Sequence, residues 1–383
     1  MIRPFVDYYR QHDISPVSQD ISDLGRHFDR RESLYRFLGI PPRFVRDATV
    51  LEFGPGSGHN SIYTASLEPA RYTLVDANPR GLRETAAMLR DKTALAADRY
   101  EIVTSFVEDF RSTERYDLVL AEGMIPFQLE PAAMTRRLGT FVAQGGLLVI
   151  TCVDTASLFA ETGRRLLADR LAPPGGDPVA TRVAAVRPLI RPHLATLPGV
   201  SRSVDDWILD NITQPLPGRV FSFADAIGAL EDDFEIFGSS PQFNVDLRWY
   251  KDVHGEARRF NERFALAYRS NILNLLDCRL ALPPHDPAIG DDILRISDRF
   301  YATMQAHERD EPGQLALAAA GVDDLVQIVE PLAASTAQSL RSLARALRAP
   351  VSELVTAAAG FASHFGRGQQ YASFVRKTAA AAT

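Results

Sequence analysis

"VLEFGPGSGHNS", Val50 to Ser61, is the stretch that decides the fold. An apolar run closes on Glu52 and Phe53, and Gly54, Gly56 and Gly58 then follow at alternate positions. Glycines after a strand let the backbone turn tightly and bring a ligand close with no Cβ in the way. Beyond the bend, "NSIYTASL" reads as a helix. Its exposed N–H groups and partial positive charge favour anionic or polar ligand groups.

The pattern around the bend is strand and helix in alternation. "ATVLEF", "RYTLVDA", "YEIVTSFV", "YDLVLAEG" and "GGLLVITCV" are apolar strands, and the segments between them have helical character. Such an order predicts a parallel sheet with helices on both faces. Five segments are expected: an N-terminal helical stretch over 1–47, a Rossmann-like core over 48–154, a helical cap insertion over 155–230, final core strands over 231–252, and an α-helical region over 253–383. In the fourth segment "FEIFGSS" and "VDLRWYK" are joined too closely for a crossover helix, so they are read as antiparallel neighbours. The whole is α/β, a seven-stranded, mostly parallel, doubly wound sheet with one antiparallel pair.

The chain has 383 residues, 46% of them hydrophobic, and a formal net charge of −6. That charge argues against a general nucleic-acid binder, which needs a basic face to displace counterions. Cys152 and Cys278 are the two cysteines, too few for a disulfide framework or a zinc set. No apolar run approaches the ~20 residues of a membrane span, and the first residues lack the apolar centre of a signal peptide. A cytoplasmic protein with no membrane partner is the expectation.

Three ligand classes suit a glycine bend. A phosphate-cradling Walker loop needs Gly-Lys-Ser/Thr, but His59 and Asn60 follow Gly58. A nicotinamide fingerprint needs Gly-x-Gly-x-x-Gly, which fits poorly here. The third match is a resemblance: "LEFGPGSG" is similar to the first motif of class I S-adenosylmethionine-dependent methyltransferases, and "LVDANP", "SFVEDF" and "LVLAEG" follow in the family's order. The resemblance covers about residues 48–154 and 234–251. It implies S-adenosylmethionine as cofactor. Glu52, Gly54, Gly56 and Gly58 would then line the bend, with Asp76 and Ala77 at the ribose and Phe106, Val107 and Glu108 (or Asp109) at adenine. Glu122 would lie near the methionine part. In that alignment Phe106 stands where the family commonly has an aspartate. A carboxylate suits the ribose because its two oxygens can accept from two neighbouring hydroxyls.

Methyl transfer to an oxygen or nitrogen calls for one base when the acceptor pKa is high. Asp154, just after the fifth strand, Asp210 in "DDWILDNI" and His27 on the N-terminal helix are the catalytic candidates, with His12 and His193 behind them. The acidic charge and helical cap favour a small-molecule acceptor and O- or N-methylation. Alternatives are a nicotinamide-dependent oxidoreductase, or a non-catalytic cofactor-binding subunit. The Ala-rich helices between Leu315 and Ala358 could pair with a second copy as a homodimer.

Overall fold

The computed structural model describes residues 7–8, 19–175, 178–200, 202–216, 218–309 and 311–378. These fall into two compact units. The first takes residues 1–153, 216–266 and 369–383, and the second takes 154–215 and 267–368.

In the first unit, strands β1 (Thr49–Phe53), β2 (Arg71–Asp76), β3 (Tyr100–Thr104), β4 (Tyr116–Ala121), β5 (Val142–Cys152), β6 (Phe234–Ser240) and β7 (Gln370–Arg376) form one sheet in the order β3-β2-β1-β4-β5-β7-β6. The pairs β2–β3, β1–β2, β1–β4 and β4–β5 are parallel, and β7 runs antiparallel between β5 and β6. Alternation along the strands separates two apolar layers. Val50, Tyr72, Leu74, Leu118 and Leu120 join Tyr35 and Leu38 in one cluster. Phe53, Phe110 and Phe141 pack as a second group, with ring centroids 5.4–5.6 Å apart.

Three helices frame the glycine bend: α1 (Leu24–Phe37), α2 (Ser61–Ser66) and α3 (Pro79–Lys92), and α4 (Pro131–Gly139) follows β4. Asp23 caps α1 by accepting the Arg26 N–H, and Asn78 caps α3 by accepting the Arg80 N–H. The carboxyl end of α1 sits hard against the antiparallel strands. A Cβ on Gly238 of β6 would stand 2.6 Å from the Leu38 carbonyl carbon, and the Ser373 hydroxyl of β7 donates to the Leu38 carbonyl at 2.7 Å.

The antiparallel partner of β6 differs from the sequence reading. "VDLRWYK" forms no strand: Leu247 is 93% exposed, and Val245, Trp249 and Tyr250 are exposed with it. "QYASFVR", from the region read as helical, supplies β7 instead. The physical reason is partnership. β7 is hydrogen-bonded on both sides, which buries Ala372, Ser373 and Phe374. The 155–230 stretch also divides, since Leu216 onward belongs with the sheet.

The second unit is helical: α5 (Phe159–Leu171), α6 (Val179–Leu194), α7 (Pro287–Glu308), α8 (Gln314–Val329) and α9 (Ala334–Arg348), with shorter turns between. Helix α5 is its centre, buried continuously from Phe159 to Asp169, and the Phe159 ring stacks on Phe300 at 4.2 Å. Among the described residues no helix is long and apolar enough to cross a membrane.

The glycine bend is seated on α3. Thr85 Oγ1 donates to the Gly56 carbonyl at 2.9 Å, and a Cβ on Gly81 would come within 2.6 Å of that same oxygen. Glycine to alanine within a helix normally stabilises by about 1 kcal/mol. Here the collision reverses the sign. Gly81→Ala is expected to lower stability by about 1–3 kcal/mol in urea unfolding, whereas a gain would show that the bend does not rest on this helix.

Candidate functional site

Four parallel strands end at one edge of the sheet, at Phe53, Asp76, Thr104 and Ala121, and the segments just beyond those ends build the site. Gly54, Gly56 and Gly58 all have positive φ (70°, 57° and 81°), a region that strains any residue with a Cβ. Across from the bend, Asp76 accepts the Gly56 N–H on one carboxylate oxygen at 3.3 Å and the Asn78 N–H on the other at 2.8 Å. Burial pushes its pKa up, and the Asn78, Gly56 and Ala77 N–H groups oppose that. A carboxylate has about four lone-pair positions, so both oxygens keep capacity for hydroxyl donors. The Ser105 N–H donates to the Asp76 carbonyl at 3.0 Å, which ties the segment after β3 to this point.

Helix α1 closes the other side. Arg31 grips Glu122 with both terminal nitrogens, Nη1 to Oε2 at 2.8 Å and Nη2 to Oε1 at 2.6 Å, with the two side chains 7% and 12% exposed. Burial works against the guanidinium charge, but Glu122 outweighs it and holds Arg31 well above its ordinary pKa. Arg31 Nε is buried with no hydrogen-bond partner. Asn60 Nδ2 adds a bond to Glu122 at 3.4 Å. One turn earlier, His27 Nε2 meets the His59 carbonyl at 2.7 Å, inside the bend. A carbonyl can only accept, so Nε2 carries the proton, and burial pushes the His27 pKa below 6.5. The Ser57 hydroxyl lies 2.5 Å from His59 Nδ1.

Glu52 lies deeper, receiving hydrogen bonds from the Tyr72 hydroxyl and from Ser61 Oγ (2.9 Å). Burial raises its carboxyl to about 7, against the pull of those donors.

The structure brings together Glu52, the three glycines, Asp76, Ala77 and Glu122 at the strand ends, with His27 on the bend. Phe106 is half-buried, Val107 buried and Glu108 exposed, in a turn closed by the Asp109 and Phe110 N–H groups on the Phe106 carbonyl. Asp154 and Asp210 belong to the second unit. Asp154 is buried, and one of its oxygens accepts the Ser157 N–H at 2.7 Å. Asp210 pairs with Arg202 at 2.6 Å. His193 is buried against Arg164, and His12 lies outside the described residues. Arg31, Asn60 and the Ser57–His59 pair were not singled out from the sequence. Arg31 follows His27 by four residues, hence on the same helix face, and that spacing was the available signal.

Residues 26–181, from α1 into α6, match a family model described as a methyltransferase domain. Over these residues the chain is similar to methyltransferase domains. No curated protein matches the chain. Among solved structures, a putative methyltransferase from Thermoplasma acidophilum is 20% identical over 28% of this chain and 44% of its own, with a TM-score of 0.25. The N-methyltransferase NodS from Bradyrhizobium japonicum, solved with S-adenosylhomocysteine, is 11% identical over 61% of this chain and 89% of its own (TM-score 0.35). Magnesium protoporphyrin IX methyltransferase from Synechocystis is 14% identical over 62% and 87% (TM-score 0.36). The chain thus spans about half the length of some of these proteins and most of others.

Two side-chain groups of this domain can be tested by unfolding. Arg31→Ala leaves Glu122 buried without its partner and should cost about 3–5 kcal/mol in urea unfolding. Arg31→Met/Glu122→Gln should lose clearly less than the summed single variants, and strict additivity would show that the pair does not act as a unit. Glu52 holds its proton more tightly folded than unfolded, so it destabilises the fold as pH rises from about 4.5 through about 7. Unfolding curves between pH 5 and 8 should therefore show a loss of up to about 3 kcal/mol that Glu52→Gln removes.

Proposed function

We propose that this chain transfers the methyl group of S-adenosylmethionine to an oxygen or nitrogen of a small-molecule acceptor. The observation that carries the reading is Asp76: a half-buried carboxylate at the end of β2, bonded to the glycine bend and still able to accept from two neighbouring hydroxyls. These residues fit the cofactor. Asp76 would hold the ribose, with Ala77 beside it. The Phe106 ring and Val107 backbone would flank adenine, with Glu108 as acceptor for its amino group. Gly54, Gly56 and Gly58 would let the backbone approach the chain linking ribose to sulfur. Glu52 supports the bend from beneath. Glu122 and Arg31 would meet the amino-acid end, where an ammonium and a carboxylate need opposite partners.

When bound, the cofactor supplies a methyl carbon activated by a positive sulfur. The protein's task is then to hold the acceptor in line and exclude water, and such positioning can contribute roughly 7–11 kcal/mol. Of the three candidate bases, His27 is the one in the cofactor-binding unit. Its Nε2–H is given to the His59 carbonyl, so Nδ1 is the nitrogen able to take a proton. A net charge of −6 supports a small molecule over a nucleic acid.

Calorimetric titration with S-adenosylhomocysteine is the direct test. Binding to the unaltered chain should weaken at least tenfold in Asp76→Ala, the loss of hydrogen bonds to a charged acceptor. No binding to the folded wild type would overturn the reading. If His27 is the base, kcat falls as pH drops through a value below 6.5, and His27→Gln loses that limb. A profile unchanged in the variant places the base elsewhere.

A further inference from the structure

The stretch after β6 leaves a group of large apolar side chains in solvent. Phe237, Val245, Leu247, Trp249 and Tyr250 are each at least half exposed, and all belong to the first unit. Single exposed apolar residues are ordinary, whereas several together mark a surface used for contact. These are fixed in place. Asn244 Nδ2 donates to the Phe237 carbonyl at 2.7 Å, which ties the stretch back to β6. Arg248 bonds both Asp246 oxygens, at 2.6 to 3.0 Å, and donates to the Ala257 and Arg258 carbonyls; Arg263 Nε stands 3.3 Å from the same carboxylate. The Asp246 and Arg248 side chains are thereby only 28% and 27% exposed. Their alternate neighbours, Val245, Leu247 and Trp249, are held outward. Polar side chains turned in and apolar ones turned out is the reverse of what burial favours in a lone chain.

The surroundings select the partner. β6 is an edge strand, but Asn261 accepts the Ile236 N–H at 2.8 Å and Asn244 covers the Phe237 carbonyl, so an added strand would find these groups taken. Contact is left to side chains, and Trp and Tyr are among the residue types that dominate interface energies. With 150–250 Å² for a whole aromatic side chain, the exposed apolar surface of the five comes to roughly 600–700 Å². Each partner of a standard interface contributes about 800 Å². Charge is balanced as well. Arg248, Arg258, Arg259 and Arg263 are all paired, while Lys251, Asp252 and Glu256 have no ion-pair partner among the described residues. An anionic lipid surface or a nucleic acid calls for surplus positive charge, which this surface lacks. Open charges of both signs so close together suit a copy of the same surface turned about a two-fold axis, where residue i meets j and j meets i.

We propose that a second copy of this chain docks on this surface. Leu247, Trp249 and Tyr250 meet across the two-fold axis, and Lys251 of each protomer faces Asp252 and Glu256 of the other. The contact belongs to the first unit rather than to the helices between Leu315 and Ala358.

Sedimentation equilibrium of the full chain at micromolar concentrations tests this without cofactor, so its outcome is separate from that of the methyl-transfer reading. A monomer–dimer equilibrium is expected. Leu247→Asp and Trp249→Ala should each raise the dimer Kd at least tenfold, as loss of a central anchor does, with the urea midpoint unchanged because both side chains are exposed. Leu317→Asp, at an exposed position of α8, should leave the Kd as it is. Lys251→Glu alone, and Asp252→Lys/Glu256→Lys alone, should each weaken association severalfold by setting like charges together. An equimolar mixture of those two variants should restore it, because opposite signs then meet at both contacts. A wild type that stays monomeric overturns the proposal, and its capture by phosphatidylserine vesicles would assign the surface to lipid instead. A dimer that survives Leu247→Asp, one that yields to Leu317→Asp, or a mixture that fails to reassociate also overturns it.

Discussion

The paired hydrogen bonds between Arg31 and Glu122 hold together a site whose parts come from distant places in the chain. Glu122 follows β4 and Arg31 lies on α1. Neither position is fixed by local sequence alone. Helix α1 reaches its place because Gly238 of β6 has no side chain to keep Leu38 away and Ser373 of β7 bonds the Leu38 carbonyl. A buried pair of this kind is geometrically demanding, since each charge is costly without the other. The helix, the bend beneath it and the ends of β1 and β4 are thereby held in one arrangement.

Three carboxylates crowd these strand ends, and each has a different environment. Glu52 is sealed under Tyr72 and Ser61, where burial favours its protonated form near neutrality. Asp76 is half-buried, and backbone N–H groups oppose the upward push of its burial. Glu122 faces a guanidinium. The residue types are alike, and the supply of donors distinguishes them.

The second unit inverts the usual plan of a helical core. Its central helix is lined with charge rather than leucine alone, and most of that charge is neutralised in pairs. Glu161 with Arg164 is the loosest of these pairs, at 3.7 Å.

The sequence by itself determined the parallel part of the sheet, the glycine bend and Asp76. Strand-length apolar runs, turn residues and alternate glycines are local signals, written within a few residues of where they act. The resemblance to methyltransferases was legible for the same reason, through one contiguous run from Val50 to Glu122. The tertiary structure alone decided the rest. It put β7 at Gln370–Arg376, because a short strand is made by the partners on either side of it, and "VDLRWYK" has none despite its strand-like alternation. It also chose Arg31, one of many arginines, by bringing a half-buried carboxylate 91 residues away within hydrogen-bond reach. Long-range pairing depends on which surfaces meet after folding, and no stretch of sequence carries that information alone.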